Sequence, residues 1–286
     1  MEKCKLKKTI LLTGANGFIG KNILESSSNN FIEITKNSYE NILELPTLLK
    51  IKEKIDVVIH LAAKTYVPDS FKDPYSFYEF NFKSTLNIAE FCKQKKVPLC
   101  LYLNTYLYGN PSYLPIDENH KIALPSPYHK SKYFSEQLLL NYFEGITKVI
   151  SLRLFNVFGK YQSNNFLISK IIEQLNSDKI ELNDLNPKRD FIYIKDVTNL
   201  INIIISNQNR IKSSEIFNVG TGQSYSVKEI LELIQKITKS KIEVIDNKII
   251  RKNEVNDCYA DIKKIKQVFN WEPNYSFQEG LKDLLI

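Results

Sequence analysis

The sequence predicts an α/β protein in which a doubly wound parallel sheet is followed by a smaller C-terminal lobe. Short apolar runs alternate with helical patterns through the first half of the chain, which is typical of β-α-β units. A glycine cluster directly follows the first apolar run, where a buried parallel strand gives way to a helix. We therefore expect the sheet domain in residues 1–160 and the lobe, partly interleaved with it, in residues 161–286.

The predicted strands are short runs rich in apolar and β-branched residues, as expected for strands covered on both faces. They lie at residues 9–13, 31–35, 56–63, 98–103 and 148–153. The helical patterns begin at about Gly17 and cover residues 80–93 and 128–141. Beyond these elements the alternation is less regular, with loops at 183–190 and 246–257. No apolar run reaches the length of a membrane span.

The basic residues are scattered along the chain. The net charge is +7, from 39 basic and 32 acidic residues. The few arginines are Arg153, Arg189, Arg210 and Arg251. No basic run is interleaved with aromatic residues, which argues against nucleic-acid binding. We interpret the charge as a solvated, lysine-rich surface that also attracts anionic ligands.

The cysteines and the first residues bear on the location of the protein. Cys4, Cys92, Cys100 and Cys258 show no paired spacing, which argues against a zinc site and against a disulfide framework. Residues 1–8 are lysine-rich and lead directly into the first strand, without the apolar core of a secretory signal. We therefore expect reduced thiols, no bound metal and a cytoplasmic location.

The glycine cluster, TGANGFIG at residues 13–20, has the spacing of a phosphate-binding turn. The first glycine permits a tight turn, the second lets the backbone approach a pyrophosphate, and the third lets helix and strand pack closely. The helix N-terminus then offers N–H donors and a partial positive charge to the anion. The expected contacts to a dinucleotide in this Rossmann-type domain are Gly14, Gly17, Phe18, Ile19 and Gly20.

The end of the second strand bears on which dinucleotide is bound. An acidic residue that binds the adenosine ribose is usual there, whereas this chain has Thr35 and Lys36. A hydroxyl and an ammonium suit a ribose 2′-phosphate, which favours NADP(H). In the competing interpretation Glu33 binds the ribose, Lys36 is only solvated, and NAD is the cofactor.

A tyrosine and a lysine are candidates for proton transfer. Tyr128 and Lys132 lie four residues apart at the start of a predicted helix and so share one face. We expect the ammonium of Lys132 to favour the phenolate and to lower the tyrosine pKa from its reference value of ~10. The pair could then pass a proton to or from a sugar oxygen while hydride moves at a nicotinamide.

With these features the chain resembles the extended short-chain dehydrogenase/reductase family, in its branch of nucleotide-sugar epimerases, dehydratases and reductases. The segments that carry the resemblance are TGANGFIG at 13–20, IHLAA at 59–63, YLYG at 106–109, YHKSK at 128–132, RLFNVFG at 153–159, RDFIYIKDV at 189–197, FNVGTG at 217–222 and ADIKKIKQVFNWEP at 260–273. The resemblance implies that the smaller lobe binds the nucleotide sugar.

The resemblance also implies roles for single residues. Lys132 would bind the nicotinamide ribose in addition to its catalytic role, and Phe155 would lie near the nicotinamide. Asn156 would contact the sugar nucleotide. Arg189 and Arg251 would bind its base, ribose or diphosphate, for which a bidentate guanidinium is suited. The remaining expected cofactor contacts are Leu61, Ala62 and Ala63.

One position departs from the pattern of the family, which usually has serine or threonine five residues before the glycine of V-Y-G. That hydroxyl binds the reacting oxygen, but this chain has Asn104 there, followed by Thr105. We expect Thr105 to be the catalytic hydroxyl. In the alternative, Asn104 binds the substrate oxygen through its amide.

The same segment argues against two of the reactions that occur in this branch of the family. Dehydratases of this branch carry Thr-Asp-Glu, because they need an acid and a base to expel water, and decarboxylases also use a glutamate near this point. Here the segment is Asn104, Thr105 and Tyr106, without a carboxylate. The remaining reactions are those of a 4-ketoreductase and of an epimerase. Thr35 and Lys36 favour NADPH, and therefore an NADPH-dependent 4-ketoreductase acting on a nucleotide-linked 4-keto-6-deoxysugar, in the synthesis of cell-surface polysaccharide precursors. An NAD-dependent 4-epimerase is the alternative.

Two further functions agree less well with the sequence. A 3,5-epimerase/4-reductase would need a cysteine and a histidine near the substrate, and Cys258 and His120 do not align as such a pair. A protein that only senses the dinucleotide, or acts as a scaffold, has no evident need of an intact Tyr128 and Lys132 pair. We therefore expect an enzyme, and a homodimer, because the helices predicted at 80–93 and 128–141 match those that pair in family dimers.

Overall fold

The computed structural model describes residues 7–35, 42–143, 145, 147–249 and 254–286. The strands are β1 (Thr9–Thr13), β2 (Asn30–Ile34), β3 (Val57–His60), β4 (Leu99–Thr105), β5 (Lys148–Leu154), β6 (Asn156–Phe158), β7 (Lys179–Leu182), β8 (Lys188–Arg189), β9 (Phe191–Tyr193), β10 (Glu215–Val219), β11 (Tyr225–Ser226) and β12 (Glu243–Asp246). The α-helices are α1 (Phe18–Ser26), α2 (Leu45–Leu49), α3 (Val67–Lys72), α4 (Pro74–Gln94), α5 (Pro127–Tyr142), α6 (Leu167–Gln174), α7 (Ile194–Ser206), α8 (Val227–Thr238), α9 (Lys263–Phe269) and α10 (Phe277–Leu285).

The central sheet has the strand order β10-β5-β4-β3-β1-β2. The pairs β1–β2, β1–β3 and β3–β4 are parallel. Because β3 lies on the other side of β1 from β2, the sheet is doubly wound, and the predicted α/β fold is confirmed. The register aligns Thr13 with His60, and His60 with Tyr102. The carboxyl ends of three central strands therefore meet at one edge of the sheet, where ligands of such folds bind.

The third strand ends earlier than the sequence predicts. The prediction covers residues 56–63, whereas β3 ends at His60. The backbone N–H groups of Leu61 and Ala62 donate to the side-chain oxygen of Thr13, and not to a neighbouring strand. The apolar residues that suggested a longer strand therefore belong to the segment that packs against the glycine turn.

Helices α4 and α5 both begin at a capped proline. Asp73 caps α4 by accepting a backbone N–H of the first turn at 3.2 Å, and Pro74 is its first residue. Ser126 caps α5 in the same way, at 3.3 Å. The prediction of a helix at 80–93 missed the first residues of α4, although the aspartate and proline before it are the local signal for an earlier start.

The chain divides into two compact units, each made of several segments. The first unit comprises the described residues of Met1–Leu107, Leu124–Arg153 and Ile201–Phe217. The second comprises those of Tyr108–Ala123, Leu154–Leu200 and Asn218–Ile286. In the first, apolar side chains of the sheet pack against those of α4 and α5. In the second, three small two-stranded sheets, β6–β9, β7–β12 and β8–β11, accompany an aromatic cluster around Phe277. Among the described residues, no helix is both long and apolar enough to cross a membrane.

Candidate active site

The glycine turn after β1 is closed by backbone contacts that leave no room for side chains. Gly14 adopts φ +71°, and a Cβ there would lie 3.0 Å from the backbone nitrogen of Ala62. A Cβ on Gly20 would lie 2.4 Å from the carbonyl oxygen of Gly14. Gly17 caps α1 without a side-chain hydrogen bond to the helix N-terminus. The turn therefore fits the pyrophosphate of a dinucleotide, which needs close approach to backbone N–H groups.

The hydroxyl of Thr13 connects this turn to the segment after β3. Its oxygen accepts the backbone N–H groups of Leu61 and Ala62, both at 3.1 Å. Because both lone pairs are then used, its proton is donated to Nδ1 of His60, at 2.8 Å. His60 is therefore neutral with its proton on Nε2. Burial, assisted by the charge of Lys132, lowers the pKa of His60 to about 3.

His60 continues this hydrogen-bond chain into α4. Its Nε2–H donates to the hydroxyl of Thr85 at 3.0 Å, and that hydroxyl donates to the carbonyl of Asn81 at 2.7 Å. The side chain of Asn81 accepts the N–H of Lys64 at 2.8 Å and donates to the hydroxyl of Ser131 in α5 at 2.8 Å. These buried polar groups were not among the residues predicted for the site. The signal was present as polar residues at helical spacing on the apolar face of α4.

Tyr128 lies in the first turn of α5, and its side chain forms a hydrogen bond with that of Thr105 at the end of β4. Burial raises the pKa of Tyr128 to about 12, and the hydrogen bond with Thr105 opposes this increase. The expectation that the tyrosine pKa is lowered is therefore wrong for this structure.

The position of Lys132 explains why its charge does not lower the pKa of Tyr128. Its Nζ donates to the carbonyl oxygen of Leu103 at 2.9 Å and lies 4.1 Å from the centre of the Tyr102 ring. The ammonium is thus held by the end of β4, and the phenol of Tyr128 has Thr105 as its hydrogen-bond partner. Burial lowers the pKa of Lys132 to about 7, while the charge of Glu136 opposes this decrease.

Asn104 is not placed as expected for a residue that binds the substrate. Its side chain is buried, and Nδ2 donates to the carboxylate of Glu136 at 2.8 Å. Its Oδ1 accepts the backbone N–H of Thr105, also at 2.8 Å. The expected contact between Asn104 and substrate is therefore not supported, because both ends of the buried amide already have protein partners. Of the two candidates for the hydroxyl position, the structure brings Thr105 to Tyr128.

The remaining expected cofactor contacts of the first unit lie directly after β2 and β3 of the central sheet. Ala62 is buried and Leu61 and Ala63 are half-buried in the segment after β3, while Thr35 is half-buried just after β2. Lys36, on which the choice of NADP(H) partly depends, lies outside the described residues, as does Arg251.

In the second unit, Asn156 and Arg189 lie next to a buried aspartate, Asp190. Asn156 donates its backbone N–H to the carbonyl of Asp190 at 3.0 Å. The carboxylate of Asp190 accepts hydrogen bonds from Thr221 and from the backbone of Gly222 and Ala260, at 2.7–3.0 Å. Asp190 was not among the predicted site residues, although it lies inside the RDFIYIKDV segment. It joins three stretches of the second unit that are distant in sequence.

Two expected residues of this unit have further protein partners. Arg189 forms an ion pair with Glu254 and donates to the carbonyl of Val255. Phe155 is buried, and its backbone N–H donates to the carbonyl of Val219 at 2.9 Å. The contacts of Arg189 and Phe155 with ligand therefore stay predictions.

The match to a protein-family model decides the family. The model described as GDP-mannose 4,6 dehydratase matches residues 29–284. The chain belongs to the extended short-chain dehydrogenase/reductase family. The predictions of this family and of an enzyme are thereby confirmed, as is the nucleotide-sugar branch from which the resemblance was drawn.

Individual relatives of this family match along nearly the whole chain. The chain is 33% identical to a protein of Methanocaldococcus jannaschii described as a putative UDP-glucose 4-epimerase, over 96% of each chain. It is 27% identical to a GDP-6-deoxy-D-mannose reductase of Pseudomonas aeruginosa, over 98% of this chain and 97% of the relative. The solved structure of RMD from Pseudomonas aeruginosa complexed with NADPH has a TM-score of 0.88 and 26% identity, with 98% of each chain covered.

Of the histidine and cysteine that a 3,5-epimerase/4-reductase would need, His120 has protein hydrogen-bond partners and Cys258 is buried. Nε2 of His120 accepts the backbone N–H of Ser112 at 3.0 Å, and Nδ1 donates to the carbonyl of Lys121 at 3.2 Å. Burial raises the pKa of Cys258 to about 11, which makes its thiolate scarce at neutral pH. Neither group has the environment of an acid or base that exchanges protons with a sugar.

Proposed function

We propose that this protein is an NADPH-dependent 4-ketoreductase that acts on a nucleotide-linked 4-keto-6-deoxysugar. The observation that carries the proposal is the hydrogen-bonded pair of Tyr128 and Thr105. The segment of Thr105, residues 104–106, contains no carboxylate. Reduction of a ketone needs one proton donor at oxygen, whereas dehydration needs an acid and a base. The reductase of Pseudomonas aeruginosa and the NADPH-bound structure support this direction.

The properties of Tyr128 suit a proton donor. Burial raises its pKa to about 12, so the phenol is protonated at neutral pH. Bound NADPH would supply the hydride that adds to C4 of the sugar. Tyr128 would donate its proton to the C4 oxygen, which converts the ketone into an alcohol, and would regain a proton from solvent. Thr105 would orient the phenol and donate to the same oxygen.

The cofactor would be held by residues of the first unit. The glycine turn from Gly14 to Gly20 fits the pyrophosphate, and the segment from Leu61 to Ala63 lies against it. Lys132, with its pKa near 7, would bind the nicotinamide ribose and add positive charge near the reacting oxygen. Phe155 and Asn156, with Arg189 and Arg251, are proposed contacts of the nicotinamide and the sugar nucleotide in residues 154–286.

Oxidation of NADPH tests the proposal directly. Purified protein is offered 4-keto-6-deoxysugars linked to GDP, dTDP, CDP and UDP, and the oxidation of NADPH is followed by the loss of its absorbance. We expect turnover with one nucleotide and none in a Tyr128→Phe control. No turnover with the whole set, by protein that binds NADPH, would contradict the proposal.

The proposed use of NADPH depends on Lys36, for which only the sequence is informative. If its ammonium binds a 2′-phosphate, Lys36→Ala should weaken NADPH binding by ~1 kcal/mol or more and leave NADH binding nearly unchanged. Lys236→Ala, at an exposed lysine of α8, is a control for general charge effects. Equal losses for both cofactors would show that Lys36 has no role at the 2′-phosphate.

An NAD-dependent 4-epimerase is the second candidate, favoured by the relative of Methanocaldococcus jannaschii. An epimerase retains its cofactor, so the protein would copurify with NAD and interconvert UDP-hexoses without added nicotinamide. Mass spectrometry of the protein as purified, followed by incubation with UDP-glucose, separates the two candidates. Stoichiometric bound NAD together with sugar interconversion would favour the epimerase.

We also propose that the protein is a homodimer that pairs through α4 and α5. These helices present an apolar groove of about 820 Å³. It is lined by Tyr75, Tyr78, Glu79, Phe82, Phe134, Gln137 and Leu138. Tyr75 is 73% exposed and Phe134 is 46% exposed, and exposed aromatic patches of this kind mark protein interfaces. The resemblance to family dimers gives the occupant, a second copy of the chain.

Light scattering coupled to size-exclusion chromatography tests the dimer. Phe134→Glu should yield a monomer, because it places a charge in an apolar interface. Phe166→Glu, at a phenylalanine of the second unit with a similar exposure of 44%, should leave the dimer intact. A monomeric wild-type protein would contradict this proposal. The cytoplasmic location and the role in polysaccharide precursor synthesis stay predictions.

A further inference from the structure

A buried charge cluster is centred on Glu136, which follows Lys132 by one turn of α5 and lies on the same face as Tyr128 and Lys132. Glu136 is fully buried, and its Oε1 accepts a hydrogen bond from the guanidinium of Arg153 in β5 at 2.5 Å. Its other oxygen accepts from Nε of Arg153 at 3.1 Å and from the hydroxyl of Ser151 at 2.6 Å. Asn104 is the remaining donor, at 2.8 Å. The carboxylate is thus held in one place by three side chains.

Asn104 connects this carboxylate to the end of β4 through its two hydrogen bonds. Because Nδ2 must donate to the carboxylate of Glu136, Oδ1 is left to accept the backbone N–H of Thr105, at 2.8 Å. The amide therefore has one orientation, with a protein partner at each end. It joins the charge cluster to the residue whose hydroxyl is hydrogen-bonded to Tyr128.

The spacing along α5 brings the same cluster to the lysine. Tyr128, Lys132 and Glu136 are four residues apart and share one face of the helix. Nζ of Lys132 binds the carbonyl of Leu103, which directly precedes Asn104. The end of β4 is therefore attached to α5 at two adjacent residues, once through Lys132 and once through Asn104 and Glu136.

We propose that Asn104, anchored on the Glu136–Arg153 ion pair, is a positioning residue that holds the hydroxyl of Thr105 against the phenol of Tyr128. The inference rests on the proposed function, because it concerns the geometry of the group that donates the proton. It accounts for an asparagine at this position. Leucine has neither donor nor acceptor, and aspartate would set a second carboxylate against Glu136.

The first test is a double-mutant cycle on turnover. Thr105→Val removes the hydroxyl and should lower kcat by ~10². Asn104→Leu keeps the side-chain volume and should lower kcat by about tenfold or more, with KM and the Kd for NADPH changed less than about threefold. If Asn104 acts only through Thr105, the double variant should lie within about threefold of Thr105→Val alone. The proposal would be overturned if the losses in kcat from the two substitutions multiply in the double variant, or if Asn104→Leu raises KM and leaves kcat unchanged.

The second test does not depend on the substrate. In protein labelled with ¹³C at tyrosine Cζ, the resonance of Tyr128 is assigned by its loss in Tyr128→Phe. Asn104→Leu and Thr105→Val should both shift this resonance in the same direction, and the double variant should match Thr105→Val. Asn87→Leu is the matched control. Asn87 is another buried asparagine of the first unit, and its Nδ2 donates to the carbonyl of Ile42 at 2.9 Å.

The two tests separate the positioning role from the reaction. A Tyr128 resonance that is unmoved in Asn104→Leu, or that moves equally in Asn87→Leu, would overturn the inference. Failure of the wild-type protein to reduce any 4-keto sugar would count against the proposed function alone, because the resonance is measured without substrate.

Discussion

The two faces of α5 reverse the usual distribution of side chains. The face turned into the protein carries polar groups, including Tyr128, Lys132 and Glu136, all of them buried. The face turned to solvent carries Phe134, 46% exposed, and contributes Leu138 to the apolar groove. Most surface helices bury their apolar residues and expose their polar ones. The reversal fits the two roles proposed for α5, with the reaction on the buried face and the homodimer contact on the exposed face.

The buried face is stable because its polar groups have partners. Ser131 donates to the carbonyl of Tyr128 at 2.8 Å, and Ser135 donates to that of Asn81 at 3.1 Å. Lys132 donates to Leu103 at 2.9 Å. Burying such groups without hydrogen bonds would cost ~1–3 kcal/mol each. The buried face therefore depends on its particular partners, whereas the exposed face needs only an apolar surface.

The largest effect is expected where a charge of the buried face loses its partner. Glu136→Ala leaves the guanidinium of Arg153 buried and unpaired, so the free energy of unfolding should fall by ~3–5 kcal/mol. Urea denaturation measures it. Glu181→Ala, which breaks an exposed ion pair with Lys179, should cost less than ~1 kcal/mol. Similar losses in the two variants would mean that the burial of Glu136 has no energetic weight.

The next effect concerns the reaction at the start of the helix. Tyr128→Phe removes only the phenolic hydroxyl, so we expect turnover to fall by ~10² or more while NADPH still binds. Steady-state kinetics and a fluorescence titration with NADPH measure the two quantities. Tyr133→Phe, on the same helix, is the control. Activity of Tyr128→Phe within threefold of the wild type would remove Tyr128 from the reaction.

A smaller effect is expected from the other buried polar chain, at His60. Its pKa in the native state is about 3, against an ordinary value of 6.5. Between these values the unfolded chain binds a proton that the native state does not, so stability falls as the pH falls below about 6.5. From pH 7 to pH 5 this group should contribute a loss of ~2 kcal/mol.

A variant isolates this contribution from that of the carboxylates. His60→Asn is less stable than the wild type at pH 7 but lacks the titrating group. The gap in unfolding free energy between the two proteins should therefore narrow on acidification. A gap that stays constant from pH 7 to pH 5 would mean that His60 is not held neutral in the native state.

The smallest effect on the fold is expected on the exposed face of α5. Phe134→Glu should change the unfolding free energy of the monomer by less than ~0.5 kcal/mol, because the side chain is half exposed and its ring contacts are with Tyr78 and Tyr133 at the surface. Denaturation at protein concentrations too low for dimers measures it. A loss comparable with that of Glu136→Ala would show that this face also supports the monomer.

Local patterns in the sequence determined much of the first unit. Short apolar runs predicted the strands of the sheet to within a few residues, because strands buried on both faces need continuous apolar residues. The spacing of Gly14, Gly17 and Gly20 predicted the turn after β1, since backbone sterics there tolerate no Cβ. The spacing of Tyr128 and Lys132 placed them on one helical face. Each of these signals lies within a window of about ten residues.

Only the tertiary structure decided how the candidate groups are paired and charged. Asn104 meets Glu136 across 32 residues, and His60 meets Thr13 across 47. A local pattern cannot show such partners, so the sequence left Asn104 and Thr105 as alternatives. The pKa of Tyr128 was expected to fall, yet burial raises it to about 12. Desolvation depends on everything packed around a group, and that is known only when the chain is folded.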